Sequence, residues 1–256
     1  MEINNYRNFF FDLDKTIWNW DKSVTGAEDL IDTLKDAGKN VYFHTDNTLL
    51  SRKAYADKLS SMGIPAEEED VITSGYVAAE VLAMNNTRKV YAAGEQGLVE
   101  ELGKKNIEIT EEASTAVMGL DRNFNYDKIS KLKEIIERDG TVYTCSTEKT
   151  FRRESKELPH QRPFNSAVKE YGKVELVGKP TEKYRKVFKD YFDYFPGKSL
   201  FIGDRLADIE TGNKLGMKTA AVLSGDISEK KLKKAEDEQV PDYVLTGLHK
   251  LRRRII

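Results

Sequence analysis

The amino-acid sequence predicts an α/β fold: a doubly wound domain built on a parallel sheet, with a second α/β unit between its two halves. Three observations support this prediction. Short apolar segments alternate with helical patterns near both ends of the chain, and the same alternation occurs in the middle. The 256 residues suffice for one large domain or two smaller ones. Alternating strands and helices are typical of parallel sheets.

The first half of the main domain is predicted from four consecutive elements. They are the strands 8–11 and 41–44 and the helices 27–37 and 52–62. Gly38 and Gly63 stand where these helices should end, because a left-handed residue is common at helix C-termini. Thr25 and Glu28 have the spacing of a capping box at the start of the first helix.

The middle and the end of the chain repeat this pattern. The middle is predicted to contain the strands 89–92, 116–119 and 142–145 and the helix 126–137. The end is predicted to contain the strands 199–202, 219–223 and 243–245 and the helix 208–215. Since no Gly/Ser-rich linker or shift in composition separates these parts, the sequence pattern alone does not define the borders of the middle unit.

Composition limits the partners of the protein. Lys and Arg number 41 and Asp and Glu 43, so the net charge of −2 gives no reason to expect binding to nucleic acid or to a membrane. Cys145 is the single cysteine, which excludes a disulfide framework and a cysteine-rich zinc site within one chain. No apolar run approaches the roughly 18 residues of a membrane span. A cytoplasmic location is therefore expected.

The apolar strand that contains Phe9, Phe10 and Phe11 ends abruptly in two carboxylates, Asp12 and Asp14. In open α/β sheets, ligands bind at the carboxyl ends of the strands, where the strand order reverses. A carboxylate at that edge can bind a metal ion, act as a nucleophile or cap the following turn. The DxDxT pattern alone does not decide between these roles.

Three further segments bring polar side chains to the same edge. Thr45 and Asp204 each follow a predicted strand, and Asp208 stands four residues after Asp204. Lys179 lies in a tight turn before a helix and supplies a cation that can offset the acids. Mg²⁺ prefers oxygen ligands and keeps several waters, so two carboxylates and a backbone carbonyl suffice to bind it.

In this order, the four segments resemble the four motifs of the haloacid dehalogenase-like hydrolase superfamily. The resemblance continues through the middle of the chain, in the stretches VITSGYVAAEVL, KVYAAGEQGLVEEL, AVMGLDRNFNYDKI and VELVGKPTEKY. These stretches look like the branch that holds p-nitrophenyl phosphatases, NagD-like nucleotide phosphatases and phosphoglycolate phosphatases. Each segment is weak alone, but the joint order and spacing are specific, and they cover nearly the whole chain.

The resemblance implies a Rossmann-like core with an inserted α/β cap of type C2. The core would comprise residues 1–82 and 177–256, and the cap residues 83–176. The resemblance also implies a magnesium-dependent phosphatase. In this interpretation Asp12 is the nucleophile, Asp14 the general acid and then base, Thr45 a phosphate ligand and Lys179 the countercharge. The implied metal ligands are Asp12, the backbone carbonyl of Asp14, and Asp204, with Asp208 in support.

The sequence departs from the branch at several positions. Lys15 stands where Gly is common, and Asp46 where Asn is common. The stretch 143–148 replaces an Asn-Pro-Asp sequence typical of the substrate loop, so the resemblance does not transfer a substrate. We predict that the charged segment 147–154, which follows a cap strand, selects the substrate. The residues predicted to contact the substrate are Asp46, Asn47, Glu148, Arg152 and Arg153.

The leading hypothesis is a phosphatase that hydrolyses a small organic phosphate monoester through an aspartyl-phosphate intermediate on Asp12. A phosphotransferase or mutase would use the same chemistry with a cap that excludes water, and a non-catalytic binding protein of the same fold is a third alternative. Phosphoglycolate, glycerol phosphate, a nucleotide monophosphate and pyridoxal phosphate all stay open as substrates. The relatives often dimerise through the cap, so a homodimer is also expected.

Five other residues receive structural interpretations. His44 lies inside a strand and is predicted to pack in the core, whereas His160 and His249 are predicted to lie on the surface. Trp18 and Trp20 flank the short segment after the first motif, where one of them either lines the entrance of the site or packs in the core.

Overall fold

The computed structural model describes residues 3–19, 22–153, 156–223 and 225–252, and the chain forms two compact units. The first unit comprises Met1–Thr45, Ala56–Val71 and Lys189–Ile256. The second comprises Asp46–Tyr55 and Ile72–Phe188. The predicted cap, 83–176, lies within the second unit, and its borders stay a prediction.

Strands and helices alternate along the chain. In the described residues the strands are β1 Asn8–Asp12, β2 Trp18–Asn19, β3 Lys22–Ser23, β4 Asn40–Thr45, β5 Val71–Thr73, β6 Lys89–Ala93, β7 Glu108–Ile109, β8 Thr115–Met118, β9 Thr141–Thr144, β10 Thr150–Arg153, β11 Lys156–Pro159, β12 Val174–Leu176, β13 Ser199–Gly203, β14 Lys218–Val222 and β15 Tyr243–Leu245. The helices are α1 Ala27–Asp36, α2 Arg52–Ser61, α3 Ser74–Met84, α4 Gln96–Lys104, α5 Tyr126–Glu137, α6 Arg162–Lys169, α7 Glu182–Tyr191, α8 Leu206–Lys214, α9 Glu229–Leu232 and α10 His249–Arg252. None of these helices is long and apolar enough to cross a bilayer. Each strand and helix predicted from the sequence is present, with its ends displaced by at most two residues.

A six-stranded sheet with the order β15-β14-β13-β1-β4-β5 forms the centre of the first unit, whose border falls within β5. The strands from β15 to β4 pair in parallel. All five residues of β1 are buried, as expected for a central strand of a parallel sheet covered on both faces. The order reverses beside β1, so its carboxyl end, at Asp12, lies where such sheets bind ligands.

The second unit contains a sheet of its own, with the order β12-β9-β8-β6-β7 and parallel pairing throughout. Leu132 and Ile135 of α5 and Val168 of α6 pack on one face of this sheet in an apolar core. The strands β10 and β11 form a separate antiparallel pair. A parallel Rossmann-like sheet together with a second α/β unit confirms the predicted fold class.

The helix ends confirm two of the local predictions and correct a third. Gly38 and Gly63 adopt the expected left-handed conformation, with φ values of 69° and 79°. The capping box predicted from Thr25 is wrong, because Gly26 is the N-cap of α1 and no side chain caps the helix. The carboxylate of Glu28 instead accepts a hydrogen bond from the hydroxyl of Ser23, at 2.5 Å.

Candidate active site

Asp12 is the last residue of the central strand β1, and its side chain is fully buried. The neighbouring strand β4 places His44 beside it in register. The Nδ1 atom of His44 lies 3.6 Å from Oδ1 of Asp12, and its ring stacks on Phe201 at 4.1 Å between centroids. The prediction that His44 packs in the core is confirmed, and the structure adds that its imidazole lies next to the predicted nucleophile.

Asp14 lies in the turn after β1, and each of its two carboxylate oxygens accepts a hydrogen bond from a different side chain. Thr45, the last residue of β4, donates a hydrogen bond to Oδ2 at 3.4 Å. The indole Nε1 of Trp18 donates to Oδ1 at 3.1 Å. Trp18 is fully buried and Nζ of Lys58 lies 4.2 Å from its ring centroid, so it packs in the interior and does not line an entrance. Trp20 lies outside the described residues. The structure therefore brings Thr45 and Asp14 together, as predicted, and adds Trp18 as a partner of the acid.

Asp204 and Asp208 are both fully buried, in the segment that leads from β13 into α8. Oδ2 of Asp208 accepts a hydrogen bond from the backbone N–H of Arg205 at 3.1 Å, which fixes the start of the helix. The Arg205 guanidinium lies 3.4 Å from Oδ1 of Asp12 and 3.8 Å from Oδ1 of Asp204. The sequence interpretation did not include Arg205, although a cation directly after Asp204 is a visible signal.

Burial of like charges shapes the electrostatics of this cluster. Burial raises the pKa of the Asp204 carboxyl well above its ordinary value, and the nearby carboxylates of Asp12 and Asp208 raise it further. The backbone N–H of Asp226, which donates to Asp204, acts in the opposite direction. Acids that disfavour one another's charge are stabilised in the ionised form by a cation.

The donor set fits a divalent metal ion. Asp12, His44 and Asp208 each offer one ligand atom, and these atoms all lie within 4.8 Å of one another. Asp204 adds a further carboxylate whose Oδ1 atom accepts no hydrogen bond from the described residues. Carboxylate oxygens are the ligands that Mg²⁺ takes in proteins. The buried acidic cluster therefore suits a divalent cation.

The raised pKa of Asp204 predicts how the stability of the metal-free protein depends on pH. A carboxyl whose folded-state pKa is raised stabilises the fold below its unfolded pKa, about 3.9, and this contribution is lost as the pH rises through the folded pKa. We expect the unfolding free energy without metal to fall from about pH 4 towards neutrality for this reason. Asp204→Asn, which mimics the protonated acid, should reduce that fall, whereas Asp36→Asn on the exposed end of α1 should not. Urea unfolding across this pH range tests the expectation, and an equal slope for Asp204→Asn and the parent would contradict it.

The remaining predicted phosphate-site residues lie in the second unit. Asp46 begins that unit and is buried, and its Oδ1 atom accepts hydrogen bonds from Oγ of Ser74 at 2.5 Å and from the backbone N–H of Lys179 at 3.3 Å. The Lys179 residue is only 2 % exposed. Asn47 is also buried, and its Oδ1 accepts from the backbone N–H of Leu49 at 3.1 Å. The predicted roles of Asp46, Asn47 and Lys179 stay predictions.

The segment 147–154, expected to be a charged loop, contains the strand β10 and so forms part of a hairpin with β11. Arg152 and Arg153 belong to β10, but their side chains lie outside the described residues. Glu148 is held by its backbone N–H, which donates to Oγ of Ser146 at 3.1 Å. Its Oε2 atom lies 3.9 Å from Nε2 of His160. The predicted contacts of these three residues with substrate stay a prediction.

The surface position predicted for His160 is wrong, whereas His249 is exposed as expected. His160 is fully buried, and its ring packs edge-on against Phe151 with a centroid distance of 5.9 Å. This packing against Phe151 of β10 is not indicated by a sequence pattern with one isolated histidine.

The chain is similar in sequence to known hydrolases. A family model described as haloacid dehalogenase-like hydrolase matches residues 9–108, and a related HAD-hydrolase-like model matches residues 176–251. Phosphoglycolate phosphatase 1A, a chloroplastic protein of Arabidopsis thaliana, is 31 % identical over 94 % of this chain and 75 % of its own length.

Two solved structures have the same fold. 4-Nitrophenylphosphatase from Thermotoga maritima superimposes with a TM-score of 0.90 at 24 % identity, over 100 % of both chains. Glycerol phosphate phosphatase from Mycobacterium tuberculosis, in complex with magnesium, superimposes with a TM-score of 0.86 at 24 % identity, over 98 % of this chain and 78 % of the other.

Proposed function

Because this chain belongs to the haloacid dehalogenase-like hydrolases, in the branch of the phosphoglycolate and 4-nitrophenyl phosphatases, we propose that it is a magnesium-dependent phosphatase of small organic phosphate monoesters. One observation carries the proposal. A buried carboxylate, Asp12, ends the central strand, and a second carboxylate, Asp14, is held two residues later by Thr45 and Trp18. This arrangement supplies a nucleophile and a separately oriented acid.

The reaction has two displacement steps. A carboxylate oxygen of Asp12 attacks the phosphorus, the bond to the ester oxygen breaks, and Asp14 gives its proton to the departing alkoxide. Asp14 then takes a proton from a water molecule, which attacks the phosphorus of the aspartyl phosphate, and the carboxylate of Asp12 leaves. The products are the alcohol and inorganic phosphate. Dividing the reaction in this way replaces one difficult step by two easier ones.

The positions of the side chains support these roles. The hydrogen bonds from Thr45 and Trp18 fix the Asp14 carboxylate, so that it is oriented before the substrate binds. The Arg205 guanidinium lies against Asp12 and Asp204 and reduces the repulsion between them. We assign Mg²⁺ to Asp12, Asp204 and the backbone carbonyl of Asp14, with Asp208 in support. When bound, the ion would offset the repulsion between the carboxylates and the phosphate and would stabilise the charge of the transition state.

The second unit supplies the remaining proposed contacts. Lys179 is a buried cation and is proposed as the countercharge to the phosphate, and Asp46 and Asn47 follow the phosphate ligand Thr45 directly in the chain. The cap, residues 83–176, is proposed to recognise the organic part of the substrate. The core residues contact only the phosphate and the metal, so they do not distinguish one leaving group from another.

Substitutions in the cap test where substrate selection lies. We expect Glu148→Ala, Arg152→Ala or Arg153→Ala to change kcat/KM among natural phosphate esters by about 1–3 kcal/mol, the size of one lost polar contact. Hydrolysis of 4-nitrophenyl phosphate should change little, because its aryl group makes no such contact. Glu170→Ala, at an exposed position directly after α6 in the same unit, is the matched control. An unchanged substrate ranking in all three variants would place selection elsewhere in the cap.

A screen of phosphorylated metabolites with Mg²⁺ tests the proposed function itself. The panel should include phosphoglycolate, glycerol phosphate, nucleoside monophosphates and pyridoxal phosphate, with inorganic phosphate as the measured product. Release of inorganic phosphate from at least one ester supports a phosphatase. Transfer of the phosphoryl group to an added sugar or alcohol without release of phosphate would identify a phosphotransferase instead.

A further inference from the structure

We infer that Lys15 and Asp226 form a latch that positions the carboxylate of Asp204 for metal binding. Nζ of Lys15 lies 2.6 Å from Oδ1 of Asp226, and 211 positions separate the two residues in the sequence. The Lys15–Asp226 latch connects the turn that carries Asp14 to the loop that covers Asp204. The inference deepens the proposed function and rests on its assignment of Asp204 as a metal ligand.

The loop 225–227 holds Asp204 by its backbone. The N–H of Asp226 donates to Oδ2 of Asp204 at 2.8 Å, and the N–H of Ile227 donates to the carbonyl of Asp204 at 2.7 Å. Gly225 approaches so closely that a Cβ atom there would lie 1.9 Å from Oδ2 of Asp204. The position of this loop therefore determines the position of the carboxylate.

The hydrogen bonds leave one oxygen of Asp204 for a cation. Oδ2 is bound by the loop, whereas Oδ1 accepts no hydrogen bond from any described residue. The guanidinium of Arg205 is near this oxygen, with Nε at 3.8 Å. A carboxylate fixed through one oxygen presents the other in a defined direction, which is how neighbouring groups orient metal ligands.

Lys15 is fixed at its own end of the latch. Its φ angle is 65°, a left-handed conformation that is unfavourable for residues other than glycine. Its backbone N–H donates to the carbonyl of Trp18 at 2.7 Å, which closes the turn beyond Asp14. A non-glycine residue in this conformation is expected to persist when its side chain makes a contact that glycine does not make.

Many exposed ion pairs contribute little, because both side chains lose freedom when they pair. The Lys15–Asp226 latch differs in that its ends are already constrained. The Lys15 side chain is 16 % exposed and that of Asp226 37 % exposed, and the backbone carbonyl of Asp226 accepts a hydrogen bond from Nζ of Lys231 at 2.7 Å. Less freedom is therefore lost when the pair forms, and its attraction acts on the loop that holds Asp204.

The test combines direct metal binding with hydrogen exchange. Lys15→Met and Asp226→Asn each break the ion pair of the latch without introducing glycine or proline. Lys15→Arg keeps the cation. Lys218→Met is the matched control, because it breaks a pair of similar length, Lys218 Nζ to Asp242 Oδ1 at 2.5 Å, at the amino end of β14. The Mg²⁺ dissociation constant is measured by titration calorimetry on metal-free protein. Amide exchange of the segment around Asp226 and Ile227 is measured without metal or substrate.

We expect Lys15→Met and Asp226→Asn each to weaken Mg²⁺ binding about three- to tenfold, as for a partly buried charge pair, and the double variant to add little to either. Amide exchange at Asp226 and Ile227 should be faster in the same variants, because both N–H groups bond to Asp204. Lys15→Arg and Lys218→Met should stay within about twofold of the parent in Mg²⁺ affinity, since neither removes the attraction at the latch.

Unchanged exchange in Lys15→Met, or unchanged Mg²⁺ affinity, would overturn the inference. The exchange measurement needs no turnover, so its result can refute the latch without refuting the proposed function. A parent protein that binds Mg²⁺ and shows the expected exchange but hydrolyses no ester would refute the proposed function and leave the latch in place.

Discussion

Replacement of Asp12 by Asn is expected to abolish hydrolysis of every phosphate ester while the protein stays folded. The amide has the shape of the carboxylate but is not a nucleophile, so the covalent step is lost, and a decrease of about 10⁴-fold or more in kcat is expected from removal of a catalytic nucleophile. The fold should tolerate the change, because it removes one of the buried like charges next to Asp204. Phosphate release and thermal unfolding of the purified variant measure the two effects.

Asp36→Asn is the matched control for this experiment, since it makes the same chemical change at an exposed position of the same unit. It should keep the activity of the parent. Turnover by Asp12→Asn clearly above that of a blank without enzyme would show that phosphate esters are hydrolysed without the proposed nucleophile. A collapse of its melting temperature would show instead that Asp12 is needed for folding.

Removal of divalent metal is the second change with a large expected effect. With a chelator present, activity should fall to background and return on addition of excess Mg²⁺, because Asp12, Asp204 and the phosphate otherwise repel one another. Binding should also stabilise the fold, by about 2.7 kcal/mol when Mg²⁺ is present at 100 times its dissociation constant. Thermal unfolding with and without Mg²⁺ measures this stabilisation independently of any substrate.

The stabilisation by Mg²⁺ should be smaller in Asp204→Asn, which lacks one of the proposed ligands. Ca²⁺ at the same concentration is the control. It matches the ionic strength, and it shows whether a divalent cation that stabilises the fold also supports turnover. Full turnover in chelator, or equal melting temperatures with and without Mg²⁺, would refute the metal assignment.

Much of the fold was predictable because its local patterns agree with its tertiary structure. The apolar run at Phe9, Phe10 and Phe11 is fully buried, and such runs are typical of the central strands of a parallel sheet. The carboxylates were predictable for the same reason, because residues that directly follow such strands come together at one edge of the sheet. Asp12, Thr45 and Asp204 are examples.

The parts that sequence reasoning missed depend on contacts between distant segments. Lys15 and Asp226 show no pattern in the sequence that links them, and Arg205 approaches Asp12 only because β13 lies beside β1. The hydrogen bond from Trp18 to Asp14 depends on how the short turn between them closes. The capping box failed because a left-handed glycine took the N-cap position that Thr25 was expected to occupy.

The substrate was not predictable, for a related reason. The residues proposed to handle phosphate and metal come from segments whose order resembles the family motifs, whereas the stretch 143–148, in the predicted cap, departs from the expected pattern. His160 illustrates the difficulty, because its burial beneath the hairpin β10–β11 is visible only in three dimensions. Specificity therefore has to be measured by comparing esters.

The most direct test of the central claim is isolation of the phosphorylated enzyme. Asp14→Asn is expected to slow the second step, because no base remains to activate water, so the aspartyl phosphate should accumulate when a reactive ester such as 4-nitrophenyl phosphate is added with Mg²⁺. Acid quenching, borohydride reduction and peptide mass spectrometry should then show conversion of Asp12 alone to homoserine. A rapidly quenched sample with no modified residue, or with the modification on any residue other than Asp12, would contradict the account.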